Sequence, residues 1–275
     1  MPVKDILPGS GACTKATLSA LVDVLKFSAV LGALSWFLVQ GTERLGYNWQ
    51  WYRVPQYLFS TESGRLTAGP LLEGLGVTLR ITGISLLLSF AVGLVTALLR
   101  LSGSPAGRIL ARGYLELVRN TPLLVQIFFI YFVLSPVFGF SRFASGVLAL
   151  SLFEGAYASE IFRSGIVSIH QGQWEASYSL GMNTFHTYRY VILPQAIRRI
   201  IPPLTGQGIS LIKDSALVST IAIYDLTMRG RSVIAETYLT FEIWFTMAAM
   251  YLLMTLVLSL AVSGLEKRLK TQSAV

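Results

Sequence analysis

The sequence predicts an all-α integral membrane protein with about six transmembrane helices. Three observations carry that reading. Only 13% of the 275 residues are charged and 53% are hydrophobic, whereas a soluble domain carries about 25% charged residues. The mean hydropathy is +0.60. Several apolar runs approach the roughly 20 residues that a bilayer core requires, and Lys and Arg gather mostly between them.

The elements follow in order. Residues 1–23 are mixed in polarity and show no cleavable signal pattern, so they precede the first span as a polar N-terminal segment. Val24 to Gln40 is the first span, with Lys26 near its start and Trp36 as an interfacial anchor. Residues 41–70 are polar and aromatic (Tyr47, Trp49, Trp51, Tyr52, Tyr57), so 24–70 make a span followed by an interfacial or short amphipathic stretch outside the membrane. Leu71 to Leu99 is the second span, with Glu73 and Arg80 in its outer half. A polar loop with Arg100, Arg108, Arg112 and Arg119 follows. The third span runs from Pro122 to Phe138, because proline is tolerated in a helix's first turn. Phe143 to Ile166 is the fourth and carries Glu154, Glu160 and Arg163. Ile243 to Val262 is the last clear span, and residues 266–275 form a basic tail. Gln195 to Ile223 is ambiguous, because Arg198, Arg199, Lys213 and Asp214 interrupt its apolar character.

Between the fourth span and that ambiguous region lies a polar stretch from Gln171 to Pro194. It reads as a short helix, a glycine stop at Gly181, and a second short helix. Ala176, Ser177 and Leu180 fall on one face, and two of them are small, so a partner could approach closely. Glu175 is expected in the first turn, where the helix dipole favours an anion. Gly181 suits the left-handed C′ position, Asn183 or Thr184 can cap the second helix, and Pro194 is expected to end it.

That stretch resembles the EAA loop of ABC importer permeases. Glu175, Ala176, Gly181, Leu193 and Pro194 match in type and spacing, with Ser177 and Val191 as small departures. Further segments resemble the polar amino-acid branch of the same permeases: Leu75 to Arg80, Tyr114 to Gln126, Gly155 to Arg163, Leu193 to Ala196 and Lys213 to Ile221. The resemblance covers about 71–265, and its finer features look most like glutamate/aspartate permeases. It implies a five-helix type I importer core over 71–265, with one extra N-terminal helix. It also implies a coupling helix in the cytoplasmic loop between spans four and five. Gln173, Trp174, Glu175, Ala176, Ser177, Leu180, Gly181, Leu193 and Pro194 would then dock on a separate ATPase dimer that binds ATP and Mg. Other implied partners are a second permease subunit, identical or homologous, an extracytoplasmic solute-binding protein, the amino acid and membrane lipid. The location implied is the bacterial inner membrane. With the EAA-like loop and the basic tail both cytoplasmic, the clear span at 243–262 needs a second crossing before it, so residues 200–223 must span, which places both termini inside. The excess of Lys and Arg on that side agrees.

Ionisable groups at mid-bilayer cost several kcal/mol unless they pair or face water. Arg80, Lys213 and Asp214 are therefore candidates for lining a translocation path. Pro202, Pro203, Gly206 and Gly208 are expected to loosen the helix before Lys213, in the manner of a broken helix at a solute site. Glu160 and Arg163, three apart, are expected to pair. The net charge of +8 comes without a basic stripe interleaved with aromatics, so nucleic acid is not expected. The single cysteine, Cys13, excludes an internal disulfide, and His170 and His186 lack a third metal ligand. No phosphate-binding loop, nucleophile elbow or His-Glu-x-x-His is present, so the chain is expected to be non-catalytic and to hold no cofactor or metal itself. The alternative is an ion-coupled secondary amino-acid transporter, which would need a paired internal repeat that the six spans do not show.

Overall fold

The computed structural model describes residues 10–44, 46–62 and 65–271. The expected N-terminal residues 1–9 and the tail residues 272–275 lie outside the described residues, as do the side chains of Cys13 and of Lys267 to Lys270. The chain forms two compact units, Met1–Gln50 and Trp51–Val275. In the first, the described residues form one long helix, α1 (Ser10–Arg44), with Phe27, Trp36 and Phe37 exposed along it. An edge-on Tyr47–Trp49 pair follows, with ring centroids 5.4 Å apart.

The second unit opens with a 3-10 turn at Trp51–Arg53 and one helical turn at Pro55–Leu58. Two four-residue strands, β1 (Phe59–Glu62) and β2 (Arg65–Ala68), pair as an antiparallel hairpin. Ser60 and Thr67 join hydroxyls across it at 2.8 Å. Hydropathy alone gave no sign of this hairpin, because two four-residue strands leave too little alternation to read. The remainder is helical: α2 (Pro70–Leu101), α3 (Pro105–Arg119), α4 (Leu123–Phe138), α5 (Arg142–Val167), α6 (Gln171–Ser179), α7 (residues 184–214), α8 (Leu226–Thr237) and α9 (Thr240–Thr271). Local chemistry starts several of them. Ser104 accepts from the Gly107 amide at 3.2 Å, Ser141 from Ala144 at 3.1 Å and Asn183 from His186 at 2.9 Å, each a side-chain N-cap.

The centre of the unit is α2 against α5. The two run parallel, Ser85 beside Val147 and Ser151, Gly93 beside Gly155 and Ala158, Arg100 beside Glu160. Small side chains let the backbones approach, which is how helices pack without a hydrophobic drive between them. A Cβ on Gly93 would lie 2.8 Å from that of Ala158. Three apolar clusters then stack along the bundle. Leu71, Leu226, Ile243 and Met247 fill one end, Ile81, Ile127, Leu150, Leu211 and Val218 the middle, and Ile166, Ile192, Ala196 and Ile200 the α6 end.

Among the described residues, α1, α2 and α9 are long and apolar enough to cross a membrane, and α3 with α4 adds a fourth candidate bent by 106°. α5 and α7 carry charges along their length and are not among these candidates, although both run through the bundle core. Two expectations need correction. The stretch after Arg100 is not a loop but the amphipathic helix α3, held to α2 and α5 by Gly107, Ala111 and Leu115 at i, i+4 spacing. And Pro194 does not end a short helix. The chain continues as one helix from 184 to 214, with a π turn at Thr187–Ile192 just before the proline. That wider turn takes up the register change where Pro194 cannot donate a backbone hydrogen bond. Pro202 and Pro203 also lie inside this helix without breaking it. The chain tightens instead after Asp214, into a 3-10 stretch at Ser215–Ile221.

Candidate functional site

At one end of the bundle, α6 crosses beneath the start of α7. Three contacts anchor it. Ser177 is 2% exposed and donates to the Gln173 carbonyl. Trp174 meets Tyr188 edge-on with centroids 5.1 Å apart. Gln195 Nε2 donates to Gln173 Oε1 at 3.2 Å and to the Val191 carbonyl at 2.8 Å. The helix starts on His170, whose Nδ1 accepts from the Gly172 amide. It ends in a Schellman turn: Gly181 N–H donates to the Tyr178 carbonyl, Met182 N–H to that of Ser177, and Gly181 takes φ +72°. So the glycine stop and the Asn183 cap stand as the sequence predicts.

Two details differ. Glu175 is not in the first turn of α6. It is the fifth residue, and its carboxylate accepts from Gln171 Nε2 at 2.8 Å. Ala176 and Leu180 face outward, Leu180 82% exposed, while Ser177 turns inward. Neighbouring positions point roughly 100° apart, and the packing of Trp174 decides which of them faces solvent. The free face therefore comprises Glu175, Ala176, Tyr178, Ser179 and Leu180, with Leu193 and Pro194 also exposed nearby.

Above α6 is a charge cluster. Glu160 pairs with Arg163, as expected, at 3.2 Å, but also with Arg119 at 3.5 Å and with Arg100. One carboxylate thus ties α2, α3 and α5 together. Arg119 also lies over the Tyr157 ring, 5.8 Å from its centroid. Arg199 closes the C-terminus of α5 by donating to the Ser168 carbonyl at 2.5 Å.

In the middle of the bundle, the Asp214 carboxyl lies near that of Glu154, which is 2% exposed and whose Oε2 makes no hydrogen bond among the described residues. Two facing carboxyls form a natural receiver for an ammonium group. The sequence placed Asp214 here but grouped Glu154 with Glu160, because their shared span says nothing of a partner 60 positions on. Arg80 and Lys213 are exposed, and among the described residues no hydrogen bond or ion pair joins Arg80 to Lys213 or Asp214. Arg80 lies on the outer face of α2, in line with the exposed Ile84 and Leu87. The structure brings Asp214 and Glu154 together and leaves Arg80 apart.

At the opposite end, Asp225 caps α8 by accepting from the Met228 amide at 2.8 Å. It is fully buried, and that burial pushes its carboxyl up to about 6 from an ordinary 3.8, against the hydrogen bonds that lower it. Arg229 pairs with Glu73 at 2.9 Å, and Thr78 accepts from the Leu226 amide, so α8 is fixed to the start of α2.

A family described as binding-protein-dependent transport system inner membrane component matches residues 44–271. The glutamine transport system permease protein GlnP of Escherichia coli strain K12 is 40% identical over 203 residues, 73% of this chain and 93% of the relative. The nopaline transport system permease protein NocM of Agrobacterium fabrum is 40% identical over 200 residues, 69% of this chain and 83% of the relative. Among solved structures, an amino acid ABC transporter crystallised with histidines matches with a TM-score of 0.68 at 39% identity, covering 72% of this chain and 94% of that one. The MetNI methionine ABC transporter in an inward-facing form matches in fold, with a TM-score of 0.62 at 20% identity.

Proposed function

The chain belongs to the binding-protein-dependent transport system inner membrane components, and from that premise we propose that α6 couples it to an ATPase subunit and that the translocation path runs past Glu154 and Asp214. It is a multi-pass inner-membrane permease subunit of an ABC importer for amino acids. Such a subunit works with a binding protein and an ATPase, and its membership displaces the ion-coupled alternative. ATP and Mg would be held by the ATPase, with no cofactor on this chain.

One observation carries the coupling role: α6 is anchored on one side and bare on the other. Trp174, Gln173 and Ser177 hold it to α7, while Glu175, Ala176 and Leu180 are left open to a partner. Gly181 sets the angle of the exit, and Leu193 and Pro194 border the docking face. Movement of the ATPase pair would displace α6 and α7 together, a rigid-body switch biased by nucleotide and substrate.

For the substrate, the facing carboxyls suit the ammonium end of an amino acid, and Arg80 with Lys213 suits a carboxylate. Arg80 faces outward from this chain, so a path that includes it runs between two permease subunits, identical or homologous, built on the 71–265 core. Both termini would be cytoplasmic. The relatives named for glutamine favour glutamine over the glutamate/aspartate class that the sequence details suggested. The test is substrate-stimulated ATP hydrolysis in liposomes holding this chain, its ATPase and its binding protein, comparing glutamine, glutamate and aspartate. Stimulation should require this chain and collapse in a Glu175→Ala, Gly181→Asp double variant that still inserts. Normal stimulation in that variant would remove the coupling role from α6.

A further inference from the structure

The arginines of α3 outnumber their acidic partners, and the excess is gathered on one flank. A cavity of 360 Å³ is lined by Arg100, Arg108, Arg112, Arg119 and Arg163, with Glu116 and Glu160 as its acids. Glu160 is engaged by Arg100, Arg119 and Arg163. Glu116 accepts from Asn120 Nδ2 at 2.8 Å. Arg108 and Arg112, one helical turn apart, make no ion pair among the described residues. Two exposed guanidinium groups thus face a concave site with a net positive charge.

The rest of α3 says what kind of anion fits. Its buried stripe is Gly107, Ala111 and Leu115. Its outward stripe is apolar, with Ile109 and Leu117 71% exposed and Leu110 69% exposed. A second hollow, of 240 Å³, is formed by Pro105, Arg108, Ile109 and Arg112, so an apolar side chain and two guanidinium groups share one surface. A third, of 250 Å³, runs along Val92, Leu99, Leu110 and Leu152 on the far flank of the helix. Gly107 packs at Leu99, near the end of the apolar helix α2, which puts Arg108 near the end of a span. An amphipathic helix at that level, apolar outward and basic on one flank, matches the layer where lipid phosphates meet acyl chains. A free anion would use the guanidinium groups alone and leave Ile109, Leu110 and Leu117 in water.

We propose that Arg108 and Arg112 bind the phosphate of an anionic phospholipid, with its acyl chains against Ile109, Leu110 and Leu117. The site is separate from α6 and from the Glu154–Asp214 pair, so it stands whether or not those roles hold.

Native mass spectrometry of the full-length chain, solubilised with mixed phosphatidylglycerol and phosphatidylcholine, tests it. Phosphatidylglycerol should be retained with a preference of about tenfold or more, given the attraction of about 1 kcal/mol per basic residue near an anionic surface. An Arg108→Gln, Arg112→Gln double variant should lose most of that preference. An Arg108→Lys, Arg112→Lys variant should keep part of it, and Arg142→Gln, at the start of α5, should keep all of it. Unchanged preference in the Gln variant overturns the proposal. So does competition by inorganic phosphate at millimolar concentration, which would identify a free-anion site. Loss of a co-purifying ATPase or of a second permease copy, with lipid retention intact, would assign the arginines to a protein contact instead and equally overturn it. Because both side chains are exposed, the variants should fold; a melting temperature within a few degrees of the parent confirms it.

Discussion

Asp225 is where charge and burial conflict most clearly outside the spans. Its carboxyl is raised from 3.8 to about 6 by burial, so the fold favours the protonated form. The stability this contributes is complete below about pH 4 and is lost as pH rises through about 6, with a contribution on the order of 1–3 kcal/mol. Thermal unfolding in detergent should therefore show a lower melting temperature at pH 7 than at pH 4 from this group. Asp225→Asn keeps a capping oxygen and removes the titration, so it should flatten that slope and be more stable at pH 7. A variant with the parent's slope would show that Asp225 does not titrate as stated. Residues whose roles are set locally were legible beforehand: Gly181 at φ +72° and Asn183 as a cap both follow from neighbours within a few positions. Ser177 and Glu154 were not. Which side of α6 faces in depends on Tyr188, and the partner of Glu154 is Asp214, and neither pairing is written in local spacing.

At the scale of elements, the α2–α5 crossing depends on absent side chains. Gly93→Ala should destabilise by about 1–3 kcal/mol, since its methyl meets Ala158 and the Gly155 carbonyl at 2.8–3.0 Å. Gly83, ten residues earlier on the same helix, has nothing within 4 Å of such a methyl. Gly83→Ala should be neutral or stabilising by up to about 1 kcal/mol from helix propensity. Equal melting temperatures for the two variants would remove the close-packing account. The spans of α2 and α9 are readable as long apolar runs, broken in α2 only by Glu73 and Arg80. α7 was not, because its charges and three prolines hide a continuous helix that tertiary packing sustains, and parity rather than hydropathy required it. In the sequence the amphipathic α3 reads as a loop because its arginines dominate its composition, although its i, i+4 stripe is present.

For the whole molecule, orientation is the property that unites these parts. With Cys13 replaced by Ser, single cysteines at Leu180 in the α6 turn and at Tyr238 between α8 and α9 should label on opposite sides. Tyr238 is 81% exposed, in a left-handed turn at φ +59°. A membrane-impermeant maleimide should reach Tyr238→Cys from outside the cell and Leu180→Cys only in inverted vesicles. Labelling of both from one side would break the topology on which the proposed coupling depends.

The prolines of α7 have a mechanical consequence. Without amide hydrogens, Pro202 and Pro203 leave the carbonyls of Arg198 and Arg199 with no donor one turn ahead. The helix is continuous in shape but has a compliant joint about a third of the way from its end at Asp214. Below that joint, Arg199 latches the rod to Ser168 and Gln195 latches it to α6. Above it, Asp214 sits against Glu154. A push on α6 would therefore travel stiffly through the lower segment and be spent as bending at the prolines, so the carboxyl pair would feel a tilt rather than a shove.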